Sequence, residues 1–360
     1  MKLGLVGLPN CGKSTLFNAL TESTAESANY PFSTTDKNIG IVTVPDIRLN
    51  SLQNMYNAKK LINATIEFVD IAGLVRGAGA GAGIGNKFLG HIREVDGIVH
   101  VVRCFEDENI QHVDGELDPL RDIDTINTEL IFADLEVVSR RLEKLPKEIK
   151  SGKATKNELE LMQNIANTLE EEKPVKSITF SENELLIVKN LGLLTLKPAM
   201  FVANVAEDEL LGNSYSQEVL NFANKNDSQA FLVSAKLEEE LVGLSNDQKY
   251  DFLKELGIKE SSLALMTDAG YKTLNLMSFL TAGPKEVRAW TIPSGTKAVA
   301  AAGKIHSDLE RGFIRAEIVN YDELMSLGSY AACKDAGKVR LEGKEYIVQE
   351  GDIILFRFNV

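Results

Sequence analysis

Residues Gly7 to Ser14 place the strongest constraint on how this chain can fold. They match the phosphate-loop pattern G-x-x-x-x-G-K-[ST] and lie between a short apolar segment and a stretch with helical spacing. Glycines there permit backbone angles and close approach that side chains block, so successive N–H groups can face an anion at a helix N-terminus. We therefore predict a loop that holds nucleotide phosphates. Its predicted nucleotide-binding residues are Asn10, Cys11, Gly12, Lys13, Ser14 and Thr15.

Short apolar segments that alternate with helical patterns predict a parallel sheet with helices on both faces. The five predicted strands are residues 3–6, 66–69, 97–102, 199–203 and 230–233. Ligands of such sheets bind beyond the carboxyl ends of the strands, where the motifs of this chain lie. The predicted fold class is α/β, with a GTPase-like P-loop NTPase domain and a mostly parallel sheet.

The third and fourth predicted strands are too far apart for a single crossover helix. Residues 126–145 and 156–172 have amphipathic helical spacing, and residues 146–154 resemble a turn. We predict an inserted α-helical hairpin, which either covers core surface or docks a partner. From about residue 277, strand patterns at 287–292, 314–319 and 352–358 flank a predicted helix at 298–305.

These patterns divide the chain into three predicted parts. The first is a discontinuous nucleotide-binding domain, residues 1–125 and 196–276. The second is the helical arm, residues 126–195, and the third is a small C-terminal domain, residues 277–360.

The charge balance limits the expected partners. The formal net charge is −13, which disfavours attraction of the whole protein to nucleic acid, so we expect no DNA partner and only a local RNA-facing surface. No stretch approaches the roughly 20 apolar residues that cross a bilayer. The three cysteines are far apart, which suits a reducing compartment, and we expect a cytoplasmic protein without a membrane partner.

Asp70 ends the second predicted strand and begins a D-x-x-G sequence that closes at Gly73. In GTPase-like domains this aspartate holds Mg²⁺ through a water, and the glycine amide meets the γ-phosphate. Ser14 supplies a hydroxyl ligand to the same ion. Thr34 lies where the first switch segment is expected and is the preferred further ligand, with Thr35 as the alternative.

The predicted base-binding segment departs from the guanine-specific pattern N-K-x-D. The fourth strand ends in Asn204-Val205-Ala206-Glu207, which lacks the lysine and carries a carboxylate one methylene longer. A site without the guanine carboxylate geometry loses much of its preference for guanine, because unpaired buried polar groups are costly. The predicted base-side residues are Asn204, Val205, Glu207, Ser234 and Ala235.

The chain resembles the YchF or Obg-like ATPase family of Obg-related P-loop proteins over essentially its whole length. The segments that carry the resemblance are GLPNCGKSTLFNALT (7–21), YPFSTTDKNIG (30–40), FVDIAGLVRGA (68–78), VVRCFED (101–107), NVAED (204–208) and VRAWTIPSG (287–295). The resemblance implies a C-terminal TGS domain of β-grasp type, a preference for ATP over GTP, and a role at the ribosome, with the large subunit as the expected partner.

Leu74 stands where many GTPases carry the glutamine that orients the attacking water. A leucine cannot hydrogen-bond that water, so another group must position it or hydrolysis stays slow. The resemblance places a catalytic histidine after VVRCFED, at His112, and a histidine of ordinary pKa can order or deprotonate water at neutral pH. The predicted catalytic residues are therefore His112 and Lys13.

Three functions stay open at this point. The first is an ATP-hydrolysing switch that binds the ribosome and regulates translation or a stress response, with Mg²⁺ and a possible K⁺ ion held partly by Asn10. The second is a nucleotide-gated binding or scaffold protein whose hydrolysis is incidental. The third is a true GTPase.

Overall fold

The computed structural model describes residues 1–25, 39–71, 84–110, 112, 115–258 and 261–359. Contacts divide the chain into two compact units. The first contains Met1–Ile41 and Glu67–Ala269, and the second contains Val42–Ile66 and Gly270–Val360.

The first unit is built on a sheet with strand order β2-β4-β1-β5-β6-β7. The pairs from β4 to β7 are parallel, which confirms the predicted sheet. Each of the five predicted segments lies in one of its strands. The strands are β1 Lys2–Val6, β2 Ile39–Val44, β4 Ala64–Asp70, β5 Gly97–Arg103, β6 Ala199–Asn204 and β7 Ala230–Val233.

Helices accompany these strands along the chain. Apolar side chains from β5, β6 and the helices α4 and α7 form one buried cluster, which includes Val102, Phe201, Ile123 and Val219. The helices are α1 Lys13–Ala25, α3 Ile84–Arg93, α4 Pro119–Lys150, α5 Lys156–Glu170, α6 Glu182–Asn190, α7 Ser214–Lys225, α8 Ala235–Leu241, α9 Asn246–Glu255 and α10 Ser262–Thr273.

The predicted helical hairpin is present, but its first helix is longer than expected. Helix α4 begins at Pro119 and continues through Pro146 to Lys150, so the predicted turn over residues 146–154 is wrong in its first half. A proline fits helical φ and removes one backbone hydrogen bond. We attribute its tolerance here to the neighbouring Leu145, which is fully buried in the apolar core that α4 shares with α5.

A buried carboxylate joins helix α4 to the segment that leads into β6. Asp134 is 1% exposed and accepts hydrogen bonds from the Leu194 and Thr195 amides at 2.7 and 2.8 Å and from the Thr195 hydroxyl at 2.7 Å. Three donors satisfy a carboxylate that would otherwise be costly to bury. Polar contacts therefore fix helix α4 to the segment that precedes β6.

The second unit contains a mixed sheet with strand order β11-β10-β12-β8-β9-β3. The predicted strands at 287–292, 314–319 and 352–358 and the helix at 298–305 are confirmed. The strands are β3 Leu61–Ile62, β8 Leu276–Ala282, β9 Val287–Pro293, β10 Phe313–Asn320, β11 Arg340–Glu342 and β12 Asp352–Phe358. The helices are α2 Ile47–Tyr56, α11 Ala298–Ile305, α12 Ser307–Arg311, α13 Tyr321–Leu327 and α14 Tyr330–Asp335.

Residues 42–66 lie in this second unit although they come early in the chain. Strand β3 pairs in parallel with β9, with Leu61 opposite Val287, and the Arg48 guanidinium contacts the Glu350 carboxylate at 2.5 Å. A two-residue strand leaves no periodic signal, so local pattern could not reveal this association. The predicted three-part division, with a TGS domain beginning at 277, stays a prediction.

Candidate nucleotide site

The phosphate loop lies between the end of β1 at Val6 and the start of α1 at Lys13. Gly12 has φ +88°, and a Cβ there would overlap the side-chain amide of Asn204. A Cβ at Gly7 would lie 2.6 Å from the Val101 carbonyl oxygen. Both glycines are therefore required by close approach, and Gly12 also by its left-handed backbone angle.

Lys13 and Asp70 meet beside this loop. The Lys13 side chain is 8% exposed and its ammonium contacts the Asp70 carboxylate. Asp70 reaches this place because β4 runs parallel to β1, with Asp70 opposite Leu5 in the register. Lys13 is predicted to bind phosphate, and Asp70 is predicted to bind Mg²⁺. The two side chains therefore lie in direct contact in a partly buried place.

Asn204 fastens the phosphate loop to the base-side segment. Its side chain is 3% exposed, and its Nδ2 donates to the Cys11 carbonyl oxygen at 2.9 Å. Its Oδ1 accepts from the Ala235 amide at 2.9 Å. One buried amide therefore ties β6 to both walls of the site, a contribution that the sequence pattern did not reveal. Its predicted contact with the base stays a prediction.

A pocket of about 830 Å³ opens along these residues, a volume within the usual range of ligand sites. It is lined by the phosphate loop, the end of β6 and the start of α8, so the structure brings the predicted phosphate and base residues together. Lining residues among the predictions are Asn10, Cys11, Gly12, Lys13, Ser14, Thr15, Asn204, Val205, Glu207 and Ala235.

Of the predicted base-side residues, Glu207 lines the pocket and Ser234 does not. Ser234 is buried and caps α8 by accepting from the Leu237 amide at 3.4 Å, so its hydroxyl has a structural partner. Glu207 lies 2.5 Å from the Lys236 ammonium, and Lys236 also lines the pocket. The segment Ser234-Ala235-Lys236 resembles a base-side loop, but only its first two residues were predicted to bind the nucleotide.

His112 does not line this pocket. Its Nε2 lies 2.9 Å from Oδ2 of Asp122 in the first turn of α4, and both side chains are less than a tenth exposed. The histidine borders a neighbouring groove that also includes Arg103 and Tyr215. The structure therefore places His112 beside the site but turned toward α4, with an acidic partner that the sequence analysis missed.

Arg103 is a second residue that the sequence analysis overlooked. It ends β5, is 4% exposed, and donates from Nε to the Phe105 carbonyl oxygen at 3.1 Å. Its guanidinium also lies 4.7 Å from the centre of the Phe105 ring, and Phe105 lines the nucleotide pocket. A charged residue at the carboxyl end of a buried strand was the available signal.

The thiol within the phosphate loop is buried. Cys11 is 2% exposed, and burial raises its pKa to about 11. A protonated thiol is a poor nucleophile, so Cys11 serves the loop by packing rather than by covalent chemistry.

The predicted residues Gly73 and Thr34, the alternative Thr35 and the substituted position Leu74 lie outside the described residues. Of the predicted metal ligands, Asp70 and Ser14 are described, and Ser14 is exposed at the second position of α1. Hydroxyl and carboxylate oxygens are the ligand types that Mg²⁺ prefers in proteins. The described part of the proposed shell therefore fits that ion.

Replacement of Asn204 with alanine tests the fastening role. We expect Asn204→Ala to lower the free energy of unfolding by about 2 to 4 kcal/mol, because it leaves the buried Ala235 amide and Cys11 carbonyl without partners. Urea unfolding followed by far-UV circular dichroism measures this change. Asn221→Ala, at an exposed position of α7, is the matched control. Equal stability of the two variants would contradict the assignment.

Two family models match the chain. Residues 2–133 match a model described as "50S ribosome-binding GTPase". Residues 276–359 match YchF-GTPase_C, described as "Protein of unknown function (DUF933)". Together the models cover the beginning of the first unit and most of the second.

Relatives and solved structures extend the similarity to the full length. "Ribosome-binding ATPase YchF" of Bacillus subtilis (strain 168) is 52% identical, with 99% of both chains covered. The protein of that name from Escherichia coli O157:H7 is 46% identical over 100% of this chain and 99% of its own. The structure titled "Structure of the Schizosaccharomyces pombe YchF GTPase" has a TM-score of 0.89 and 38% identity, covering 99% of this chain and 97% of that one. With identity at this level over the whole chain, the protein belongs to the YchF family of P-loop NTPases.

Proposed function

We propose that the chain is an ATP-hydrolysing switch that binds the ribosome and regulates translation or a stress response. The observation that carries this proposal is the 830 Å³ pocket lined by Lys13 and Asn204, with Asp70 in contact with Lys13. The chain also shares about half of its residues with relatives named ribosome-binding ATPases. Preference for ATP, the large ribosomal subunit as partner and a cytoplasmic location are the finer parts of the proposal.

The phosphate side has a specific chemistry. Phosphate oxygens would compete with the Asp70 carboxylate for the Lys13 ammonium, so triphosphate binding would free Asp70 to help hold Mg²⁺. Ser14 and Thr34 are the proposed direct ligands of the same ion. When bound, Mg²⁺ neutralises charge that develops on the phosphates. In this scheme the contact between Lys13 and Asp70 is replaced by two others, one between phosphate and Lys13 and one between Mg²⁺ and Asp70.

The base side supports ATP over GTP. Guanine recognition needs a carboxylate that accepts from N1–H and the 2-amino group, whereas Glu207 is already paired with Lys236. Guanine would therefore share this carboxylate with Lys236. The S. pombe relative is titled a GTPase, which keeps a GTPase as the second candidate.

Competition between ATP and GTP for the site tests the proposed preference for ATP. We expect unlabelled ATP to displace labelled ATP at lower concentration than unlabelled GTP does, because the Glu207 carboxylate is engaged by Lys236. Lys236→Gln is the informative variant, since it frees Glu207 and should narrow the difference between the nucleotides. Lys225→Gln, on α7, is a matched control outside the pocket. Tighter binding of GTP by the unmodified protein would overturn the preference for ATP.

We propose that His112 orders or deprotonates the attacking water after it leaves Asp122. The pair is buried, and Asp122 lies on the long helix α4 while His112 lies in the preceding connection. In the described conformation the pair keeps the histidine away from the phosphates, and its release would complete the catalytic site. Leu74 makes such a group necessary because it cannot hydrogen-bond water.

Turnover of single variants tests His112. We expect His112→Ala to lower ATP turnover at least about 100-fold with ATP affinity nearly unchanged, since a general base contributes on that scale. His91→Ala, an exposed histidine on α3, is the matched control and should leave turnover intact. Turnover that is unchanged in His112→Ala but lost in Lys13→Ala would show that the assigned role is wrong.

Asn10 carries the remaining part of the proposal, a K⁺ ion near the phosphates. It lines the pocket, and its backbone is left-handed with φ 66°. A monovalent cation there would supply charge that the leucine at position 74 cannot. Equal turnover in sodium and potassium buffers would remove this ion from the scheme.

A switch and a scaffold differ in how nucleotide affects ribosome binding. The switch proposal requires that the ATP-bound and ADP-bound forms bind ribosomes with different affinity. A scaffold with incidental hydrolysis binds equally in both forms.

The net charge of −13 restricts any contact with ribosomal RNA to a local surface. The described helices include none that is long and apolar enough to cross a membrane.

A further inference from the structure

Arg103 has a buried donor that no described residue accepts. The arginine ends β5 and is 4% exposed, and its Nη1 has no hydrogen-bond partner among the described residues. This atom is shielded from solvent, so a ligand from solution does not reach it there. A buried donor without an acceptor is costly, and the acceptor that fits such a place is a group of the protein itself.

Phe105 holds the rest of the Arg103 side chain. Arg103 Nε donates to the Phe105 carbonyl oxygen at 3.1 Å, and the guanidinium carbon lies 4.7 Å from the centre of the ring. Phe105 lines both the nucleotide pocket and the neighbouring groove, of about 850 Å³, which Arg103 and His112 also line. Since Arg103 lines the groove and not the nucleotide pocket, it would act on hydrolysis through a second residue.

Asp122 is a buried carboxylate close to Arg103. It lies in the first turn of α4, is 5% exposed, and its Oδ2 lies 2.9 Å from Nε2 of His112. Cys104 and Ile123 directly follow Arg103 and Asp122 in the chain, and they pack in the same apolar cluster. The two backbones are therefore close together. A guanidinium and a carboxylate that are both shielded from water attract each other more strongly than an exposed pair does.

Asp107 is the other carboxylate whose charge acts on Arg103. Burial lowers the pKa of Arg103, and the charges of Asp107 and then Asp122 oppose that effect. Asp107 is exposed, and its Oδ1 accepts from the Asn109 amide at 2.8 Å, so that amide and water can satisfy it. Asp122 is shielded from water, so it is the carboxylate that depends on partners within the protein.

We propose that Arg103 is a positioning residue that takes the Asp122 carboxylate from His112 when the histidine turns toward the phosphates. Arg103 Nη1 donates to Asp122 in that state, so the buried carboxylate keeps a charged partner throughout. Without this exchange, release of His112 would remove a bond from a buried carboxylate and not replace it, which costs free energy. The inference rests on the proposed role of His112 as the group that orders or deprotonates the attacking water.

Steady-state ATP turnover of the full chain tests this exchange. Arg103→Met keeps an apolar side chain against Phe105 and removes the donors. We expect it to lower kcat at least about tenfold with KM for ATP nearly unchanged, because a hydrogen bond to a charged group is worth that much or more. Arg140→Met, at an exposed position of α4, is the matched control and should leave kcat unchanged.

Two double variants show whether Arg103 acts through the proposed partners. Added to His112→Ala or to Asp122→Ala, Arg103→Met should lower kcat by less than about twofold, because residues that act through one another are not additive. A further tenfold loss in either background would overturn the exchange, since Arg103 would then act through Phe105 or through the stability of the fold.

A conservative variant and the single His112 variant complete the test. Arg103→Lys keeps a cation and should retain more turnover than Arg103→Met, whereas equal kcat in the two would contradict the exchange. If His112→Ala lowers kcat and Arg103→Met does not, the exchange is wrong while the role of His112 stands. If His112→Ala leaves kcat unchanged, the proposed role of His112 fails, and the exchange fails with it.

Discussion

The parallel register of β4, β1, β5 and β6 is the constraint on which the nucleotide site depends. Asp70 lies opposite Leu5, and Arg103 lies opposite Asn204, so the carboxyl ends of these strands meet along one edge. A shift of one residue would turn every side chain to the other face of the sheet. The register therefore decides that Lys13, Asp70 and Asn204 meet in one place rather than at three separate strand ends.

Two ion pairs lie at that edge of the sheet. Lys13 contacts Asp70, and Glu207 lies 2.5 Å from Lys236. Each pair contains one residue predicted from the sequence to bind the nucleotide, Lys13 in the first and Glu207 in the second. In the proposed function, ligand phosphates would exchange with the first pair, and the second pair would disfavour guanine beside Asn204. The two ion pairs thus connect triphosphate binding and base choice to groups of the protein that already interact.

Short-range patterns made the phosphate loop and the strand ends predictable. The spacing of Gly7, Gly12 and Lys13 specifies a backbone path that depends on local sterics alone. Side-chain partners across the sheet could not be predicted in the same way, because the Asn204 bonds to Cys11 and Ala235 depend on register and rotamer together. The pairing of His112 with Asp122 could not be predicted from the sequence for the same reason. The place of residues 42–66 in the second unit depends on one short strand that leaves no local signal.

Turnover of ATP with and without purified ribosomes tests the central claim most directly. We expect ribosomes to raise the turnover of the unmodified protein several-fold, because the proposed switch requires ribosome binding to favour the arrangement that completes the site. Lys13→Ala should show no turnover in either condition, since the phosphates lose their principal cation. Turnover that ribosomes leave unchanged in the unmodified protein would contradict the account and favour a scaffold with incidental hydrolysis.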